Sequence, residues 1–397
     1  MPADVNEYAY QLGAEPSGIR ELFAYGLQRK AEIGADKVFD YSLGNPSIPA
    51  PESVKQAIIE VATSVDPVDL HGYTPAQGYM TTRQCIADNL KRRFGFQATA
   101  ENVYMTCGAA ASLGITFHAI AEPGEEIITI APFFPEYTVF VGSAGCKLVP
   151  VMARESDFMI DVAAVEAAIN EKTRAVLINT PNNPTGAVYS VENLQELAAM
   201  LARKEAELGR RLYLISDEPY RELTYGVQVP FVPALYDRTI ICYSWSKSLS
   251  LPGERIGYVY VSDAMDNAAE VSTAIAGAGR ALSFVCAPAL FQRVIEKCID
   301  EPTDVEAYRV NREILANGLK ELGYEYIEPD GAFYLWVKAL EPDALAFSER
   351  AKQFELLIVP SNGFGCEGWC RLSYCVSKDT IVNSLPAFKE LKESYGN

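Results

Sequence analysis

Seven apolar stretches recur between residues 102 and 262: "NVYMTC", "EIITIA", "KLVPVM", "AVLINT", "LYLIS", "TIICYS" and "IGYVYVS". Most are apolar at consecutive positions, so a strand made from one has no face to give to water. A sheet of such strands must be covered on both sides. The material between them sets the pairing. "VENLQELAAMLARKEAEL" repeats its apolar residues at spacings of three and four, the period of a helix that buries one face. A connection that long joins parallel neighbours, whereas antiparallel ones need only a turn. The expectation is an α/β chain whose large domain holds a mostly parallel seven-stranded sheet covered by helices.

Beyond residue 286 the pattern changes. Long helical patterns, "ALFQRVIEKCI" and "VEAYRVNREILANGLKEL", precede short strand-like runs at "AFYLWV", "LLIVP" and "WCRLSYC", and a last helical pattern closes the chain. This predicts a smaller α+β domain. The large domain is expected over residues 46–289, with residues 1–45 and 290–397 in the small one.

Composition narrows the partners. No apolar run approaches the roughly 20 residues that a membrane helix needs. The first twenty residues are acidic and polar, neither basic-then-apolar nor Arg-rich, so a cytoplasmic protein is expected. A net charge of -18 argues against nucleic acid or anionic lipid, since both demand a cationic footprint. Nine cysteines without a C-x-x-C pair read as reduced thiols. Cys366, Cys370 and Cys375 cluster, but the only histidines are His71 and His118, so no metal site is expected. The same scarcity disfavours histidine-based triads.

Functional groups in such sheets gather beyond the carboxyl ends of the strands. Three runs end there in polar or reactive residues: "AVLINT" leads to "PNNPTG", "LYLIS" to Asp217 in "DEPY", and "TIICYS" to Lys247. A lysine or an aspartate after a buried run needs a partner or a use, because an unpaired buried charge costs several kcal/mol. The bland reading of Asp217 is a cap and the sharper one pairs it with a buried cation, while either Asn182 or Asn183, read alone, shapes a turn. "NVYMTCGAAASLGITF" passes from a strand into a small-residue helix start, leaving N–H groups around Gly108, Ala109 and Ala110 for an anion. The chain lacks G-x-G-x-x-G and the P-loop pattern, so nucleotide readings have no support. Arg255 lies eight residues after Lys247, and arginine suits a permanent phosphate contact while lysine can lose its proton and attack. From an unperturbed pKa of about 10.4, that loss at pH 7 costs roughly 4 to 5 kcal/mol, which burial and a nearby cation reduce. An anion cradle, an arginine, a nucleophilic lysine and a buried aspartate together match the needs of pyridoxal phosphate. "SWSK" is also formally S-x-x-K, with Ser244 as nucleophile, but that motif should open a helix, whereas here it ends an apolar strand and its companions S-D-N and K-T-G are missing.

With these residues in view, "NTPNNPTG", "SDEPY", "SWSKSLSLPGERIGY" and "WCRLSYC" resemble, in order and spacing, the class I and II aminotransferases, the aspartate aminotransferase-like group of fold-type I pyridoxal phosphate enzymes. The resemblance runs from "LGNPSIPAP" through the C-terminal domain. It implies that Lys247 forms the Schiff base with the cofactor and shuttles the substrate proton, while Asp217 pairs with the pyridine nitrogen. Asn183 and Tyr220 would bond the ring's phenolic oxygen, and Gly108, Ala109, Ala110, Ser244, Ser246 and Arg255 would form the phosphate cup. Tyr73 matches a tyrosine that reaches the phosphate across a dimer interface, which implies a homodimer with the active site at the subunit interface. Arg371 matches the arginine that binds the substrate α-carboxylate, with Gly44 and Asn183 beside it. In "APFFPEY" the ring-stacking aromatic is Phe134 or Phe133. Arg280 and Arg20 are candidates for a second, acid-selecting arginine. The implied reaction moves an amino group from an L-amino acid to a 2-oxo acid through a pyridoxamine phosphate intermediate. A carbon-sulfur β-lyase is the alternative on the same scaffold. A non-catalytic cofactor-binding regulator is disfavoured, because no DNA-binding module or basic stretch is attached.

Overall fold

The computed structural model of the protein describes residues 4–14 and 18–396. The chain divides into two compact units, one of residues Pro46–Ala307 with Asp330–Ala332, the other of the segments up to Asn45, Tyr308–Pro329 and from Phe333 onward.

The larger unit is built on one sheet of seven strands: β1 (Val103–Thr106), β2 (Glu126–Ala131), β3 (Lys147–Met152), β4 (Thr173–Asn179), β5 (Tyr213–Asp217), β6 (Thr239–Ser244) and β7 (Gly257–Val261). Their order across the sheet is β1-β7-β6-β5-β4-β2-β3, and all run the same way except β7. This is the mostly parallel seven-stranded sheet that the apolar runs predict. The two-faced burial is visible residue by residue. Ile241, Tyr243, Tyr258 and Tyr260 pack into one core with Val54, Ile86 and Val294, while Ile240, Cys242, Val259 and Val261 pack into another with Ile115, Phe117 and Ile275. Alternate side chains of one strand therefore serve opposite cores, as the pleat requires.

The helix Val191–Leu208 shows how the connections are delimited. Ser190 accepts the N–H of Asn193 at its start, Gly209 closes it at φ 62°, and Leu194, Leu197, Ala198 and Leu201 form its buried stripe. No helix among the described residues is long and apolar enough to cross a membrane.

The boundary expected at residue 289/290 shifts. Residues 290–307 belong to the larger unit, because the helix Ala289–Cys298 buries Phe291, Val294, Ile295 and Cys298 in the same core as Val54, Val61 and Leu90. Residues 330–332 join it through main-chain bonds: the Asp330 and Gly331 N–H groups donate to the Gly186 carbonyl, and Ala332 N–H to that of Leu223.

The smaller unit carries an antiparallel sheet whose order is Val359–Pro360, Trp369–Ser373, Tyr334–Lys338 and Tyr326–Ile327. A two-residue parallel pair, Phe39–Asp40 with Leu356–Leu357, ties the N-terminal segment to it. The unit also holds the helices Gly18–Ile33, Ala344–Ala351 and Lys378–Glu393, and the helix Glu306–Glu321 from Tyr308 onward.

Candidate active site

Because β1, β2, β4, β5 and β6 run in one direction, the segments that follow them emerge at one edge of the sheet. These are the segments of Gly108, Phe133 and Phe134, Asn183, Tyr220 and Lys247. β7 runs the opposite way, so its first residue, Gly257, lies at that same edge, two residues after Arg255.

Asp217 ends β5 and is 4% exposed. Across the sheet it pairs with Asn179 on β4 and Cys242 on β6. Tyr137 Oη donates to its Oδ2 at 2.6 Å, and Asn179 Nδ2 donates to the Asp217 main-chain oxygen at 2.9 Å and to Oδ2 at 3.3 Å. The other carboxylate oxygen, Oδ1, is buried with no hydrogen-bond partner among the described residues. Burial pushes the carboxyl up to about 7; the bond from Tyr137 pulls against this, and the neighbouring Glu218 adds to it. A carboxylate held by one oxygen, with the other buried and unpartnered among the described residues, suits a cationic N–H that approaches Oδ1.

The loop after β4 is fixed by two asparagines. Asn182 Oδ1 accepts the N–H and the hydroxyl of Thr185, at 3.1 and 2.8 Å, so Asn182 shapes the turn. Asn179 Oδ1 accepts the Asn183 N–H at 2.7 Å, which ties the buried Asn183 to the residue that also grips Asp217. Tyr220 is buried three residues beyond Asp217. The adjoining segment is braced by a buried ion pair, Arg221 Nη2 to Glu218 Oε2 at 2.5 Å.

Gly108 caps the helix Ala109–Ile120 at φ 89° and ψ 172°, with no side-chain cap, so the first-turn N–H groups of Ala109 and Ala110 have no acceptor within the helix. The helix is anchored from below, as Ser112 Oγ bonds Thr106 Oγ1 at 2.7 Å and the Tyr258 carbonyl at 3.2 Å. A Cβ on Gly108 would stand 3.0 Å from Arg255 Nη2. Arg255 itself is exposed and adopts φ 51°, with Nη1 donating to the Pro252 carbonyl at 3.0 Å. The arginine is thus folded over the helix start. Gly108→Ala is expected to strain the left-handed backbone by about 1 kcal/mol and to displace the guanidinium, weakening phosphate-ester binding about tenfold or more. Cofactor titration alongside a melting curve of the cofactor-free protein separates the two effects.

Lys247 is half-buried in the single turn Trp245–Ser248, and Ser244 and Ser246 are buried beside it. Ser244 ends β6 and is also the N-cap residue of that turn. The S-x-x-K pattern therefore does open a helical turn, against expectation, and what still speaks against a serine nucleophile is the absence of its two companion motifs. Phe133 is 6% exposed and packs with Tyr137 in the core, whereas Phe134 is half-buried with its ring edge-on to Tyr137. Tyr73 is 99% exposed.

In the smaller unit Arg371 is 2% exposed, so it is not a solvated surface charge. Its Nη2 donates to the Ser42 carbonyl at 2.6 Å. Gly44 lies two residues beyond that carbonyl. Arg20 and Arg280 are both exposed, in the helices Gly18–Ile33 and Ala268–Ala281, and nothing in their surroundings assigns them a role. The thiols of Cys366, Cys370 and Cys375 each face a main-chain carbonyl.

Tyr137 and Asn179 escape a reading of the sequence. Asn179 is visible only as the polar end of "AVLINT", and its grip on Asp217 comes from the register between β4 and β5. Tyr137 sits in "APFFPEY", where the two phenylalanines draw notice and the tyrosine one helical turn further on does not.

Residues 36–387 match the family Aminotransferase class I and II. An aspartate/prephenate aminotransferase of Thermus thermophilus is 30% identical over 383 residues, covering 94% of this chain and 95% of the relative. Among solved structures, an amino transferase of Eubacterium rectale superposes with a TM-score of 0.98 at 53% identity and full coverage of both chains. The T. thermophilus aspartate aminotransferase with maleate superposes with a TM-score of 0.87 at 28% identity, covering 98% of this chain and 100% of that one. The chain belongs to the class I and II aminotransferases. It is a pyridoxal phosphate-dependent transferase of amino groups between amino acids and 2-oxo acids. No observation favours the lyase alternative.

The residues fit that cofactor. The unpartnered Oδ1 of Asp217 supplies an acceptor for a protonated pyridine nitrogen, and the helix start at Gly108 under the Arg255 guanidinium supplies donors for a phosphate.

Proposed function

We propose that this aminotransferase works with Lys247 as the residue that carries the cofactor covalently, Asp217 as the partner of its ring nitrogen, and Arg371 as the receptor of the substrate α-carboxylate. The observation that carries the reading is the buried, half-bonded carboxylate of Asp217 at the carboxyl edge of the sheet. Pyridoxal phosphate, when bound, supplies an aldehyde that takes the substrate amine and a ring that accepts the electron pair released at Cα.

The chain's own groups then have separate tasks. With the cofactor bound, Lys247 Nζ would take the proton from the substrate Cα and return it on the other side of the transfer. Asp217, held rigidly by Tyr137 and Asn179, keeps the ring nitrogen protonated. Asn183 and Tyr220 would donate to the ring's phenolic oxygen, and the resemblance also gives Asn183 a part in binding the substrate carboxylate. Gly108, Ala109, Ala110, Ser244, Ser246 and Arg255 hold the phosphate, and Phe134, the more exposed of the two phenylalanines, stacks on the ring. Gly44 leaves room beside the substrate carboxylate.

Tyr73 is the contribution of a second copy, so the working enzyme is a homodimer with active sites at the subunit interface. The support is the exposure of Tyr73 together with Val68, Phe284 and Val285, two stretches that the Cys286 Sγ to Thr74 carbonyl bond brings together. Nine free cysteines suit a reducing compartment, the cytoplasm.

The relatives' names make aspartate the first donor to assay. Addition of an amino acid to the loaded enzyme is expected to bleach the aldehyde absorbance and release the matching 2-oxo acid. Ammonia and pyruvate from cystathionine would overturn the reading in favour of elimination. Arg371→Ala is expected to raise KM for donor and acceptor alike by about 10²-fold, since a bidentate charged contact is lost. An unchanged KM would remove Arg371 from the carboxylate site.

A further inference from the structure

The guanidinium of Arg371 is held by rings. Its Cζ lies 4.7 Å from the centroid of Tyr334 and 5.3 Å from that of Phe364, and both aromatic residues are buried, at 2% and 1% exposure. The antiparallel register explains the contact. Arg371 pairs directly with Trp336, and Tyr334 is its diagonal neighbour on the same sheet face, within reach of an aromatic side chain. The phenol end of Tyr334 is fixed as well. A Cβ on Gly44 would run into Tyr334 Oη, so the backbone at Gly44 forms the floor on which that ring rests. The Ser42 carbonyl, two residues earlier, accepts from Arg371 Nη2. One short segment, Ser42 to Gly44, therefore touches both the guanidinium and the ring beneath it.

We infer that Tyr334 is a positioning residue for the substrate carboxylate, its ring fixing the plane of the Arg371 guanidinium so that the guanidinium meets a planar carboxylate in register. This rests on the proposed carboxylate role of Arg371. The physical ground is that a guanidinium against a π face in a desolvated site is attracted and loses its freedom to tilt. A planar fork held this way meets the two coplanar oxygens of a carboxylate through parallel bonds. It also gives Gly44 a reason beyond room for substrate, namely clearance for the tyrosine.

Tyr334→Met fills much of the volume without a π face, and Tyr334→Phe keeps the face without the hydroxyl. Tyr334→Met is expected to raise KM for the amino donor about tenfold, with kcat moving much less, and Tyr334→Phe to recover most of that loss. Should Tyr334→Met fold poorly, Tyr334→Leu with cofactor absorbance as the check of folding gives the same comparison. Equal KM in the Met, Leu and Phe variants overturns the inference. Arg371→Ala run in parallel separates the layers: if it leaves KM unchanged, the carboxylate reading of Arg371 fails, and if it alone raises KM, only the role of Tyr334 fails.

Discussion

Lys247→Ala is expected to lower turnover by about 10⁴-fold or more, the largest loss from any single substitution in this chain, because one nitrogen serves as covalent anchor and as proton carrier. Borohydride reduction of the wild-type protein is expected to fix the cofactor on the peptide containing Trp245–Ser248, and the variant is expected to show no fixed cofactor. Label on another lysine of the variant, with activity kept, would defeat the assignment. Noncovalent binding should survive in part, since the helix start at Gly108 and the Arg255 guanidinium are untouched. The expected signature is a protein that still binds the phosphate ester and cannot turn over. Added methylamine, which restores an amine but not its tether, is expected to recover only a small fraction of the rate.

The second large effect concerns pH and the cofactor-free protein. Asp217 has its proton affinity raised by burial from an ordinary 3.8 to about 7. Between those values the folded chain keeps a proton that the unfolded chain has lost, so stability is full below about pH 4 and falls as pH rises to about 7. Three pKa units correspond to about 4 kcal/mol, an order-of-magnitude figure for this one group. Chemical denaturation of the cofactor-free protein from pH 4 to 8 is expected to show that decline, superposed on the titration of other groups. Asp217→Asn, a neutral amide of the same shape, is expected to remove it and to make the cofactor-free protein more stable than wild type at pH 8. The same variant is expected to lose activity by several orders of magnitude, since the ring nitrogen loses its anionic partner. With cofactor bound to the wild type, Oδ1 has a donor and the decline is expected to flatten. Identical pH profiles for wild type and Asp217→Asn would refute the account of this carboxylate.

Much of this was legible in the residues. The apolar runs carry the sheet because burial on both faces leaves a mark at every position, and the parallel direction follows from helix-length connections. Asp217 and Lys247 stand out because charge at the end of an apolar run demands a cause, whereas Arg371 is marked only by the resemblance of "WCRLSYC". Other features lack a local mark. The helix Ala289–Cys298 has a period that says it is amphipathic but not which core receives its stripe. Residues 330–332 join the larger unit through main-chain bonds, which no side-chain pattern announces. The bonds from Tyr137 and Asn179 to Asp217 cross 80 and 38 residues of sequence, so only the assembled sheet displays them.

The alignment of strands at the working edge bears on which copying errors the gene can absorb. Thr106, Gly257 and Ser244 lie abreast on β1, β7 and β6. At Gly257 a Cβ would run into the Tyr243 carbonyl and stand 2.9 Å from the Gly108 Cα, so three backbones meet there with no slack. Losing or gaining a single residue within β7 shifts that row by one step and turns the side chains beyond the change to the opposite core. Substitutions along β7 can be graded in their harm; a one-residue deletion cannot. Length variation among descendants of this chain should therefore collect in the connecting segments, and Gly257–Val261 should keep its residue count even where its letters change.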